Sequence, residues 1–461
     1  MTVASRRPKP ALPARQAPTD FTLPVSRAAI DAITPIDGDP DWLRTDRQAA
    51  FDAFEALPAE SNLLYTTYFD FRNVQLAGAR VTTSVASAPA AIEVPSETDG
   101  LIVIDEGDLV GAALSAEAMA GGVTLTTIAG LSRQDPDRVR GLIDGGTTLP
   151  MDDRFAQLTR ALWAQGIVLD IPAGVRLLRP IVIRWTAGAV DRALLSRTFI
   201  SLGDGASATV LEELIDSGLS KPDGGQSLLA GTLEIQVGRD ASLALTSLQE
   251  LPSTTVAIQH RNAVIGEGAT LHWALAQLGS RLVRSRVDNR LEGDRSSVEQ
   301  VEIVFGGDDQ LFDLTSYTHH VGRDTTGNLL SKGALLDRAK SFMKGMIVIE
   351  RSAVGTDSFL GEFGMNLSKA TRSVAIPSLE IDQPDCRRAM HASSVGPIDE
   401  AQLFYLESRG IAPDEARKFI VLGFLEPVVA RVPVAEAQDR LREMLEARWD
   451  AGIGAAGGAA A

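Results

Sequence analysis

Gly203-Asp-Gly-Ala-Ser207, Gly238-Arg-Asp-Ala-Ser242 and Gly266-Glu-Gly-Ala-Thr270 share one form, Gly-x-Gly/Asp-Ala-Ser/Thr. Each runs directly into an alternating stretch: Ala208-Thr-Val-Leu211, Leu243-Ala-Leu-Thr246 and Leu271-His-Trp-Ala274. The unit starts lie 35 and 28 residues apart, and a degenerate copy, Gly293-Asp-Arg-Ser-Ser297, follows 27 further on. Periods of this size belong to stacked coils or propeller blades, and a four-stranded blade needs about 40 residues or more. The later spacings are too short for a blade and fit one coil of a β-helix. Small Ala, Ser and Thr at each corner let successive coils stack at the ~4.8 Å strand spacing. An antiparallel sandwich is the alternative that pattern alone leaves open.

Outward from these units the same texture persists. From about residue 167, short apolar runs alternate with Gly, Asp and Asn for about 210 residues without a helical period. Upstream, Asp39-Pro40 reads as a helix start, followed by Leu43, Ala50, Phe51, Phe54 and Leu57 at helical spacing, with Pro58 as the stop. Residues 61–130 read as strands and loops. Two helices are predicted next, over Asp135–Ile143 and Asp152–Gln165, with Gly166 closing the second. Downstream, Asp399 caps a helix with Gln402 in the capping-box position, and Gly410 ends it. A second helix opens at Pro413, carries Phe419, Ile420, Phe424 and Leu425, and stops at Pro427. A third spans Val434–Trp449. Three amphipathic helices in a row exceed a simple end cap, and they read either as helices packed on one another or as a docking face for a partner.

The predicted fold is mainly β with flanking α. A Pro-rich leader (1–24) precedes an N-terminal α+β part (25–166), a β-helix core (167–396), a C-terminal helical part (397–450) and an unpacked Gly/Ala tail (451–461). No apolar run approaches the roughly 20 residues of a membrane-spanning helix. Arg6-Arg7 precedes Pro8, Pro10 and Pro13 rather than an apolar export segment. Sixty acidic against 44 basic side chains, a net charge of −16, argue against gripping nucleic-acid phosphates. One cysteine in 461 residues, Cys386, excludes a disulfide framework and a four-thiolate zinc site, and suits a reducing, cytoplasmic setting.

Chemistry-bearing motifs are few. The sequence has no phosphate loop, no His-Glu-x-x-His and no Gly-x-Ser-x-Gly. His319 and His320 are neighbours on an alternating strand, so they point to opposite faces and cannot both chelate one metal. His260 and His272 stand alone. Asp308-Asp309 after two glycines reads first as turn chemistry. It also supports an alternative, a β-helical carbohydrate-active enzyme with paired carboxylates. Cys386, near Arg387, Arg388 and His391, is the remaining candidate for a soft metal or sulfur.

Three blocks carry a resemblance. Leu379-Glu-Ile381, His391-Ala-Ser-Ser-Val-Gly396 and Ile398-Asp-Glu-Ala-Gln-Leu-Phe-Tyr-Leu-Glu-Ser-Arg-Gly-Ile411 together resemble the C-terminal signature of the SufB/SufD family, scaffold components of SUF iron–sulfur cluster assembly. Phe155–Trp163 with Ile171–Ile181, and Thr326–Leu335, match in order, so the resemblance covers about residues 40–448. It implies a right-handed parallel β-helix, pairing with a SufB-type paralogue or with itself, and C-terminal helices that dock the SufC ATPase. ATP hydrolysis is then the partner's, and this chain is a non-catalytic scaffold. Phe419, Ile420, Phe424 and Leu425 become the expected SufC contact. His391 matches the histidine that SufD-like proteins present where the nascent Fe–S cluster forms, shared with a partner subunit. Ala392 stands where the SufB-like branch has Glu, and Thr371-Arg-Ser373 holds no cysteine where that branch keeps one, so both departures point to the SufD-like branch. Some SufD-like proteins place a cysteine two before the histidine. Here Ala389 occupies that place, and Cys386 sits five before. Flavin has been associated with this machinery, and no residue here identifies a flavin site.

Overall fold

The computed structural model describes residues 21–33, 40–83, 91–144, 151–221 and 223–456. Its centre is a parallel β-solenoid in which the chain alternates between two facing sheets. One sheet takes Gln165–Ile171, Arg192–Leu202, Ser227–Val237, Thr255–Ile265, Leu282–Leu291, Leu311–His320, Lys340–Ile349 and Arg372–Ile381. The other takes Ile181–Ala187, Ser207–Asp216, Ser242–Glu250, Thr270–Gln277, Ser297–Gly306, Thr326–Leu335, Asp357–Asn366 and Arg388–Pro397. About eight coils result, so the parallel stacking excludes the antiparallel sandwich. Register is held from coil to coil, as in Thr270↔Ser297↔Thr326↔Asp357↔Arg388.

The repeated unit forms the tight corner from the first sheet to the second. Its third residue is left-handed each time: Gly205, Asp240, Gly268 and Arg295 have φ between 54° and 69°. Gly and Asp tolerate that region best, which accounts for their place in the unit. The leading glycine has a different cause. A Cβ on Gly293 would lie 2.0 Å from the backbone nitrogen of Glu267 in the coil beneath. The fourth residue, Ala206, Ala241, Ala269 or Ser296, is buried in a continuous column, extended by Thr325 and Thr356.

Helices cover both outer faces. The helices Asp41–Ala56 and Arg154–Leu162 bring Phe51, Phe54, Phe155 and Leu158 toward Leu228, Val256, Ile258, Leu282 and Phe342 on the first sheet. An ion-pair network lies at the same seam. Arg284 reaches Asp313 (2.6 Å) and Glu60 (3.1 Å), Lys344 reaches Asp313 (2.5 Å), and His260 reaches Asp153 (3.0 Å). On the second sheet, Val421, Leu425, Val428, Leu441, Leu445 and Trp449 pack over Ala274, Val301, Ile303 and Phe305.

Several expected boundaries move. Asp39 and most of the 1–24 leader lie outside the described residues, whereas Leu23 is buried and Phe21 packs on the N-terminal core. The second N-terminal helix ends at Leu162, and Gly166 lies in a strand, where a Cβ would fall 2.2 Å from Ile128. Pro427 does not stop its helix, which runs Pro413–Val429. So near the end a proline costs one hydrogen bond, and burial of Val428 and Val429 holds the last turn. The last helix is Ala435–Ala456, so the first residues assigned to the Gly/Ala tail are helical.

Candidate functional site

The two ends of the solenoid differ. At the N-terminal end, Thr124–Thr127 pairs antiparallel with the first strand of one sheet, and the hairpin Gly100–Asp105/Asp108–Leu114 finishes the other. At the far end, Arg372–Ile381 and Arg388–Pro397 each pair with one neighbour only, and no described strand takes their second edge. Two ten-residue strands therefore offer unpaired backbone donors and acceptors, a template for another chain's strands. Ile381, Met390 and Val395 are exposed apolar side chains on this end.

His391 lies on the open strand, and alternation sets its place. It stands in register above Leu360, which continues the inward column Trp273, Gln300, Leu329. In earlier coils that position is buried. In the last coil nothing lies above it, so His391 is exposed although its parity is that of the core. Cys386 lies in the corner between the two last strands, half-buried, beside the apolar cluster Leu329, Ile347, Ile349, Ala353 and Leu360. The last coil thus carries both residues, the thiol against apolar neighbours and the imidazole on the open face. Among the described residues no group of three or more His, Cys, Asp or Glu forms a metal cage.

Beneath the open coil runs a polar column. Glu302, Ser331, Glu362 and Ser393 are in register on the inward face of the second sheet. Burial pushes the Glu362 carboxyl up to about 8 and Glu302 up to about 7, partly opposed for Glu302 by Arg261. Glu362 reaches across the lumen to accept from the Ile376 backbone N–H (2.9 Å) in the last strand of the facing sheet. Gly345 makes room for it, since a Cβ there would lie 2.9 Å from its Oε1. Sequence reading passed over both glutamates. The available signal was parity, because Glu302 shares its face with Val298 and Val304.

The other expected sites resolve as structural. His320 points inward, bonded to Thr325 (2.8 Å) and Ser358 (3.0 Å), and burial drops its pKa to about 4. His319 points outward and stacks on Tyr317. His272 is half-buried, with burial pulling its pKa down. Asp308 is the left-handed residue of a turn (φ 50°), and the Asp309 carboxylate accepts from Arg281 at 2.7 Å, which lowers its pKa. The pair does what turn chemistry requires.

The C-terminal helices separate the expected contact residues. Leu425 is fully buried against the second sheet, so it is a core residue rather than part of an outer face. Phe424 is half-buried, with its ring 4.5 Å from Lys332 Nζ, and Lys332 also donates to its carbonyl (2.7 Å). Ile420 is half-buried. Phe419 is 54% exposed, and Phe404 and Tyr405 on Glu400–Ser408, a helix with no buried residue, are exposed as well.

Stacked parallel coils with one end open and helices over both outer faces define an open-ended β-solenoid. The chain belongs to the SufB/SufD family: the family profile described as "SUF system FeS cluster assembly, SufBD core domain" matches residues 184–424. It is 28% identical over 418 residues to the iron–sulfur cluster assembly protein SufD of Bacillus subtilis (strain 168), covering 88% of this chain and 94% of that protein. It is 27% identical over 303 residues to a SufBD family protein of Staphylococcus saprophyticus, covering 66% of this chain and 64% of that one. The chain is SufD-like, and its family's work is Fe–S cluster assembly.

Proposed function

We propose that the chain is a SufD-like scaffold subunit, working in the cytoplasm, that pairs through the open end of its solenoid with a SufB-type paralogue and docks a SufC-type ATPase. The observation that carries this reading is the open end itself: two unpaired strands in a SufBD-family fold, with His391 in a core-parity position left uncovered. A strand edge of this length is satisfied most completely by a partner with matching strands. Fe–S clusters are commonly held by four thiolates, and this chain has one cysteine. The nascent cluster is therefore cargo at a shared site, with His391 on this side and thiolates from the partner. Cys386, turned to apolar neighbours, is the weaker donor. The docking face for SufC is Phe404, Tyr405 and Phe419, with Ile420 and Phe424 at its edge. ATP hydrolysis belongs to SufC, and no residue of this chain is assigned to flavin.

Co-expression with SufB-type and SufC-type partners tests the reading. The three chains are expected to co-purify. His391→Ala should leave that complex intact while reducing Fe–S reconstitution on it, read by visible absorbance and by transfer to an apo-ferredoxin. Failure of the chain to associate with either partner would overturn the scaffold assignment. Unchanged reconstitution would remove His391 from the site.

A further inference from the structure

Residues 60–70 cross the outer face of the first sheet toward its open end. Glu60 meets Arg284 and Lys344, Asn62 donates to the Tyr317 hydroxyl (2.8 Å), and Tyr65, fully buried, donates to the Gly345 carbonyl (3.2 Å). Gly345 lies in the next-to-last strand and pairs with Pro377 in the last, and the Tyr65 hydroxyl also meets Ser378 there. Tyr68 packs against Phe342 of the same next-to-last strand. Between Asn62 and Tyr65 the turn holds out two adjacent leucines, Leu63 and Leu64, 85% and 57% exposed. Both flanks are fixed by hydrogen bonds, including Leu64 N–H to Asn62 Oδ1 (3.0 Å), so the apolar tip is presented in an ordered form. Ordering it beforehand lowers the entropy cost of covering it.

The rest of this N-terminal layer covers the same sheet face with apolar side chains, over Val256, Ile258, Leu282, Leu311 and Phe342. Toward the rim the last strand carries Val374 and Ile376 half-buried, and beyond it the sheet has no further strand. We infer that Leu63 and Leu64 form a clasp that closes over the outer face of a partner solenoid once the partner's terminal strand has paired with Arg372–Ile381. The occupant is a chain of the same fold, because a strand continuing this sheet places its own outward side chains beside the turn. The outward side chains of this chain's own last strand are Arg372, Val374, Ile376, Ser378 and Glu380, so a strand of the same fold offers the leucines an apolar stretch at Val374 and Ile376 with the small Ser378 nearest the Tyr65 flank. The inference rests on the pairing proposed above and adds to it an N-terminal contact that the strand edges alone do not require.

The test uses the full chain with its SufB-type paralogue, both purified, and measures the dissociation constant by analytical ultracentrifugation. Leu63→Asp with Leu64→Asp is expected to weaken pairing at least tenfold, leaving the melting temperature and SufC capture unchanged. In parallel, a photoreactive benzoylphenylalanine at position 64 is expected to cross-link to the partner's terminal strand. Wild-type pairing with a variant constant within twofold, or cross-links confined to this chain, would overturn the clasp while leaving the pairing intact. Absence of pairing by the wild-type chain would overturn both.

Discussion

Glu362 sits one coil below the open end with its carboxyl buried in the lumen, and its protonation is linked to stability. In the fold it keeps its proton up to about pH 8, against about 4.5 for an unperturbed glutamate. The folded state therefore binds more protons between those values, and its stabilising contribution, full below about pH 4.5, is lost as pH rises toward 8. Raising pH from 5.5 to 8.5 should cost the wild-type chain roughly 2–4 kcal/mol more than Glu362→Gln. Urea denaturation at the two pH values measures this, and parallel losses in both proteins would show that Glu362 does not titrate in that window. Arg284 sets a second residue-scale expectation. It is buried between Asp313, Glu60 and Asp153, and Arg284→Ala leaves those carboxylates short of a partner. A loss of about 3–5 kcal/mol is expected, read as a lowered denaturation midpoint. The inward parity of Glu302 and Glu362 was legible in principle, whereas the ion-pair network was not. Glu60, Asp153, Arg284 and Lys344 are distant in sequence and meet only through packing.

The helix Pro413–Val429 shows how one element divides its apolar residues. Leu425 and Val421 face the second sheet, and Phe419 faces away. Leu425→Ala should cost about 2–5 kcal/mol through transfer and cavity terms. Phe419→Asp should change stability by less than about 0.5 kcal/mol, as exposed substitutions do, while reducing SufC capture in a pull-down. The reverse pattern would exchange the two roles. Helical periodicity placed the helix and listed its apolar residues, but it could not orient them, because apolar residues surround this helix almost evenly. Corners obey the opposite logic. The Gly-x-Gly/Asp-Ala-Ser/Thr unit is read directly from sequence because left-handed φ is a local backbone constraint and the close contact between coils recurs at every corner. Gly293→Val should therefore lower the melting temperature by several degrees, since its side chain would enter the backbone beneath.

At the scale of the whole molecule, two sheets of parallel strands are closed at one end and open at the other, and helices shield both outer faces. Exposed parallel edges are an aggregation hazard unless covered or charged. Here the open rim carries Arg372, Glu380 and Arg388 beside Ile381, Met390 and Val395. The isolated chain is expected to self-associate at high concentration through this end, and addition of a SufB-type partner should suppress it, as light scattering would report. No loss of self-association on adding the partner would place the sticky surface elsewhere.

Period and glycine placement write the repeat and its corners into consecutive residues, and the His391-to-Ile411 block carries the family, whereas the choice of stacked parallel coils over a sandwich needed the strand pairing itself. Which residues meet and which stay bare follows from packing between distant segments. His391 is exposed because the stack stops one coil above Leu360, Leu425 is hidden because a sheet lies beneath it, and Leu63 and Leu64 stand at the rim because Tyr65 is held by Gly345. Burial is set by what arrives from far along the chain, and a local pattern carries no record of it.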